Sequence, residues 1–191
     1  MASHEKRSSK SKEKLGLVLG PEAPKVVHRI FWIGDVDDAH LERVIDQISP
    51  IIFDDPMAII DLWIRSDGGP FNVAQAFLDF VRVNNVQLAT TAFGYVSSAG
   101  TLIFGAGIVK RACRMSRFFF HKLYVPVEPC NMDIDESSDL RDSIRVQHRF
   151  SNDLLRRLYN LSQEQVDCLI KRKTRWSAQQ MKKMGIVDQI I

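Results

Sequence analysis

Two apolar runs, each opening directly into a turn of small residues, constrain this chain more than any other feature. Met57 to Ile64 is apolar at every position except Asp61 and leads into Arg65-Ser66-Asp67-Gly68-Gly69. Gln87 to Phe93 leads into Gly94-Tyr95-Val96-Ser97-Ser98-Ala99-Gly100. Each run is followed by an expected helix: Asn72 to Val83, whose face carries Val73, Phe77, Phe80 and Val81, then the one after Ser98 with Leu102, Ile103 and Phe104. Strand, tight turn and helix in repetition make βαβ units, and buried strands of such units read as continuous apolar runs.

The rest of the chain extends this α/β pattern. Val26 to Gly34 reads as a first strand. Leu41, Val44, Ile45 and Ile48 mark a helix with Asp37 and Asp38 as cap candidates, and Pro50 is expected to end or kink it. Strands are expected around Val109 to Met115 and Arg117 to His121. Glu136 to Tyr159 has the sparse apolar spacing of a long, partly exposed helix. Ser162 to Lys171 and Ser177 to Met184 read as shorter helices, each beginning at a serine cap. Residues 1–26, rich in lysine and serine and closing on Gly20-Pro21-Glu22-Ala23-Pro24, read as a disordered basic tail before a domain over 27–191.

Composition narrows the function classes. A net charge of +3, much of it from the tail, is too small to imply a nucleic-acid partner. No apolar stretch reaches the roughly 18 residues of a membrane span, and no secretory signal pattern opens the chain. Cys113, Cys130 and Cys168 are odd in number and lack metal-ligand spacing, so they read as reduced thiols of a cytoplasmic protein. The expectation is a protein without metal or cofactor.

The chemistry concentrates at three places. Ser98 stands at a strand-to-helix turn, where the helix start directs free N–H groups and its positive end toward the hydroxyl. His121 closes the aromatic strand Ser116-Arg117-Phe118-Phe119-Phe120. The Gly68-Gly69 turn, with the N–H of Ala99, offers oxyanion donors. Singly, each has a plainer meaning: a capping serine, a core histidine, an ordinary turn. Their order, spacing and local context together point to a serine nucleophile, a base and an oxyanion hole.

These segments resemble the proteolytic-subunit (ClpP) family of the Clp protease. Arg29-Ile30-Phe31-Trp32-Ile33-Gly34 is similar to the family's opening strand, and Asp61 to Gly69 to its strand into Ser-Pro-Gly-Gly, with Asp67 in place of proline. Gly94 to Gly100 resembles Gly-x-Ala-Ala-Ser-Met-Gly, and Ser116 to His121 resembles the histidine strand. Met184 to Ile191 is similar to the closing Gly-Leu-Ile-Asp segment. The resemblance implies a crotonase-like fold with the 136–159 helix as a handle. It also implies Ser98 as nucleophile, His121 as general base, and Gly69 and Ala99 as oxyanion donors. Homo-oligomeric rings, heptameric or stacked, acting on peptides or unfolded proteins are implied too.

The third triad position departs from the family. Where an aspartate is usual the chain has Lys173, flanked by Lys171, Arg172 and Arg175. An ammonium there opposes an imidazolium. Four accounts stay open: a carboxylate from Glu128, Asp133 or Asp135; one from a neighbouring subunit; a slow Ser98–His121 dyad; or Lys173 itself as base. An impaired or inactive paralogue serving ring assembly is the alternative function, and acyl-thioester chemistry a third. The segment before Arg29 lacks the family's pore and docking motifs, which leaves a Clp-type ATPase partner unassigned, with Trp63 and Val83 as candidate docking residues. Pro126 and Pro129 replace the glycine-rich strand that pairs with substrate.

Overall fold

The computed structural model describes residues 27–122, 134–171 and 174–191, and for 134–137 the backbone alone. The expected tail over 1–26 therefore lies outside the described residues, as do Glu128, Cys130, Asp133 and Lys173. The protein is α/β, built on a largely parallel sheet as the sequence pattern requires.

The chain runs β1 (Val27–Ile33), α1 (Asp38–Asp54), β2 (Ile59–Ser66), α2 (Phe71–Val83), β3 (Gln87–Ser97), α3 (Ala99–Gly105), β4 (Val109–Ala112) and β5 (Arg117–Phe119). It continues through α4 (Ile134–Tyr159), α5 (Gln163–Lys171), β6 (Trp176–Ser177), α6 (Ala178–Lys183) and β7 (Gln189–Ile190). The main sheet has the order β1-β2-β3-β4-β7, parallel throughout. α1 continues past Pro50 to Asp54, so of the two expected effects of Pro50, an end or a kink, the end is corrected. Pro50 lies close enough to the C-terminal end that only a short stretch of helix follows its missing donor. Asp37 caps α1 by accepting from the His40 N–H at 2.8 Å, and Ser177 forms a reciprocal capping box with Gln180 ahead of α6.

One face of the sheet carries the core. Ile30 and Trp32 of β1, Ile60, Leu62 and Ile64 of β2, and Leu88 and Ala92 of β3 are buried with Val44 and Ile48 of α1, Phe77 of α2 and Ile103 of α3. The opposite face holds a polar cluster that the apolar run hides. Asp61 is only 2% exposed, yet it pairs with Arg111 at 2.6 Å and accepts from Thr91 Oγ1 at 3.0 Å and Trp63 Nε1 at 2.8 Å. Arg29 lies over the Trp63 ring and 3.7 Å from Asp61. Burial of the carboxylate is tolerated because its lone pairs are filled.

The feature that positions the site is a change of partner along β3. Ala89–Ala92 pairs with β4, whereas Tyr95–Ser97 pairs with β5. Between the halves the register with β2 shifts, from Ile64↔Ala92 to Ser66↔Val96, and Gly94 takes φ +82°. This bulge bends β3 out of the main sheet, and β5 with its antiparallel neighbour β6 forms a branch. Among the described residues no helix is long and apolar enough to cross a membrane.

Candidate active site

Ser98 follows the last residue of β3 and precedes α3. Its backbone is at φ +51°, ψ −126°, a conformation that a non-glycine residue adopts only when its surroundings impose it. Those surroundings are visible. The Ser98 N–H donates to the Phe119 carbonyl at 2.8 Å, continuing the β3–β5 ladder. The Ser98 carbonyl accepts from the Thr101 N–H at 2.9 Å and from Thr101 Oγ1 at 2.6 Å. Ser98 stands at the N-cap position, but its side chain makes no capping hydrogen bond. The hydroxyl is thus turned away from the helix end that a structural serine would satisfy. Ser97 is buried in the strand.

The Gly68-Gly69 turn presses against Ser98. Gly68 is at φ +109°, and a Cβ there would lie 2.5 Å from Ser98 Cβ and 3.2 Å from its Oγ. Ser66 Oγ accepts from the Gly68 N–H at 3.1 Å, and Gly100 packs on the Ser66 side chain. Ser66 thus braces the turn from one side and α3 from the other. Its part is invisible in sequence beyond its place in the Asp61–Gly69 segment. No backbone hydrogen bond among the described residues uses the N–H of Gly69 or Ala99. Both donors are open.

His121 arrives from the branch. Register places Phe119 opposite Ser97, so the chain two residues beyond Phe119 passes beside the β3–α3 turn. The half-buried imidazole packs on the Phe119 ring, centroid to centroid 5.5 Å. Its Nδ1 lies 2.6 Å from the Lys122 carbonyl oxygen. A carbonyl only accepts, so Nδ1 carries a proton, and in the neutral ring Nε2 is the lone pair. Gly69, Ser98, Ala99 and His121 line one small cleft of about 40 Å³, walled by Phe71, Leu102 and Phe120 and by Ser151 and Leu155 of α4. The four residues marked in the sequence are therefore brought together.

Lys173, Glu128 and Asp133 lie outside the described residues, and of Asp135 only the backbone is described. Among the described residues the group at Nδ1 is the Lys122 carbonyl, a dipole in place of a charge. Of the two candidate docking residues, Val83 is exposed, while Trp63 is half-buried over the Asp61 cluster.

A family model described as Clp protease matches residues 26–191. The chain is 26% identical over 180 residues to ATP-dependent Clp protease proteolytic subunit 2 of Frankia casuarinae, covering 91% of this chain and 80% of that one. It is 26% identical over 166 residues to ATP-dependent Clp protease proteolytic subunit 1 of Tropheryma whipplei, covering 85% and 80%. ATP-dependent Clp protease proteolytic subunit 3 of Frankia casuarinae is 24% identical over 176 residues, covering 91% and 81%.

Proposed function

The chain belongs to the Clp protease family, and from that premise we propose that it is a serine peptidase subunit that cleaves peptide bonds through an acyl-Ser98 intermediate. Ser98 Oγ attacks the substrate carbonyl while His121 Nε2 takes its proton. The developing oxyanion is met by the Gly69 and Ala99 N–H groups. The imidazolium then protonates the leaving amine, and water releases the acyl group by the same steps in reverse. The observation that carries this reading is the backbone of Ser98, held at positive φ with its hydroxyl uncapped in a cleft shared with His121 and two unpaired N–H donors.

The Lys122 carbonyl bears on how fast such a site turns over. Loss of the aspartate charge in a serine triad costs about 10⁴ in rate when the wrong tautomer results. Here the carbonyl holds the Nδ1–H tautomer without supplying charge. The expected penalty is therefore the electrostatic part alone, smaller than that figure. Substrates are peptides or unfolded chains that reach the site within a homo-oligomeric ring, with α4 joining stacked rings. The whole unit over 27–191 acts as one domain behind the 1–26 segment.

The basic run around Lys173 favours a second reading, a ring-assembly subunit with an impaired site. A fluorophosphonate probe separates the two, with the adduct located by mass spectrometry and Ser98→Ala as control. A stoichiometric adduct on Ser98, absent in the variant, supports the peptidase. A folded oligomer sedimenting well above 21.8 kDa that takes no adduct supports the assembly subunit.

A further inference from the structure

The turn that carries Gly68 and Gly69 leans on the loop that joins β1 to α1. The Val36 N–H donates to the Gly68 carbonyl at 2.8 Å, and the Gly34 N–H to the Arg65 carbonyl at 3.0 Å. Gly69 lies so close to the Val36 backbone that a Cβ at Gly69 would overlap the Val36 carbonyl oxygen. Val36 itself is fully buried. Whatever fixes residues 34–37 therefore fixes the direction of the Gly69 N–H.

A single side chain ties that loop at both ends. His40, in the first turn of α1, places Nδ1 2.7 Å from Asp37 Oδ1 and Nε2 2.9 Å from the Ile33 carbonyl oxygen. The carbonyl can only accept. The Asp37 carboxyl is held below the usual carboxylate range, first by the His40 backbone N–H and next by the His40 side chain, so it too is an acceptor. Both ring nitrogens thus face oxygens, and the ring bridges the end of β1 and the start of α1. The ring has little freedom to turn away. It stacks on buried Trp32 at 6.4 Å and 17°, and a Cβ at Gly34 would lie 2.6 Å from Nε2.

Arg43, further along α1, also acts on Asp37. β1 contributes the Ile33 carbonyl and the Trp32 ring, and Phe77 of α2 stands edge-on to Trp32. Arg65 of β2 runs its side chain along Gly94.

We propose that His40, bridging the Ile33 carbonyl and the Asp37 carboxylate, is a positioning residue that holds Val36 against the Gly68-Gly69 turn and so aims the Gly69 N–H. Its consequence for catalysis rests on the peptidase reading above; its effect on the loop does not. The test is amide hydrogen exchange at Val36 in the full chain, for the native protein, His40→Phe and His40→Gln, alongside the rate of Ser98 labelling by a fluorophosphonate. His40→Phe keeps an aromatic ring against Trp32 and deletes both hydrogen bonds. Val36 exchange is expected to speed up about tenfold in His40→Phe and less in His40→Gln, which keeps an amide donor. Ser98 labelling slows in step at unchanged probe affinity. Unchanged Val36 protection in both variants overturns the clamp. Faster Val36 exchange with undiminished labelling overturns the positioning role. If native Ser98 takes no label, the peptidase reading falls, and the Val36 exchange still decides the clamp.

Discussion

Replacing Gly68 by alanine tests the site geometry in a way that separates strain from contact. At φ +109° any side chain pays a backbone penalty of about 1–3 kcal/mol. The new methyl would also lie 2.5 Å from Ser98 Cβ, where carbon atoms normally rest about 3.5–4.0 Å apart. Relief requires the turn and Ser98 to separate by about 1 Å, and overpacking of this kind adds about 1–3 kcal/mol. Gly185 supplies the control. It also has positive φ, at +77°, but a Cβ there meets nothing within 4 Å, so Gly185→Ala carries the backbone penalty alone. At about 2–4 °C per kcal/mol for a chain of this size, Gly185→Ala lowers the melting temperature by several degrees and Gly68→Ala by roughly twice as much. A 1 Å misplacement of reacting groups costs about 10² in rate, so Ser98 acylation falls by that factor in Gly68→Ala and stays native in Gly185→Ala. Equal melting of the two variants, measured at one protein concentration, with native labelling in both, would refute the argument that Gly68 exists to let the turn lie against Ser98.

Two further substitutions probe the supports of the site and sheet. Tyr159 is buried, and its hydroxyl donates to the Thr101 carbonyl behind the Ser98 turn, so Tyr159→Phe removes a buried hydrogen bond at about 0.5–1.5 kcal/mol in urea unfolding. Burial pushes the Tyr159 hydroxyl well above its usual value. Its contribution is accordingly complete below the ordinary tyrosine range and lost as pH rises beyond about 10, so stability falls there in the native protein and falls less in Tyr159→Phe. Asp61→Ala strips the carboxylate from Arg111, whose side chain is 28% exposed. The expected loss is about 3 kcal/mol, the low end for a broken buried pair because water reaches the guanidinium. A loss under about 1 kcal/mol would mean that the pair behaves as a surface bridge.

The parts of the fold legible in sequence are those that local physics dictates. Met57 to Ile64 announced a buried strand, Asp37 and Ser177 announced helix starts, and the small residues around Ser98 announced a turn that only a tight strand–helix joint requires. What escaped depends on contacts distant along the chain or on irregular turns. Asp61 interrupted an apolar run, and nothing in its neighbourhood foretold Arg111, which arrives from another strand. Val36 bonds to Gly68 from a loop distant in sequence, whereas Ser66 and His40 bond to near neighbours, Gly68 for one and Ile33 with Asp37 for the other, in irregular turns that no periodicity marks. The Lys122 carbonyl at His121 Nδ1 was illegible for another reason, since a backbone group leaves no trace in residue identity.

The handover along β3 makes order in the sheet and order at the site two separate matters. β1, β2, β4 and β7 grip the first half of the scaffold, whereas His121 hangs from a branch that β3 holds through only three paired residues, Tyr95 to Ser97. Segments with few ladder bonds open before the body they belong to. Warming such a molecule parts His121 from Ser98 while its sheet is still intact, so under the proposed peptidase reading the chemistry fails at a lower temperature than the fold.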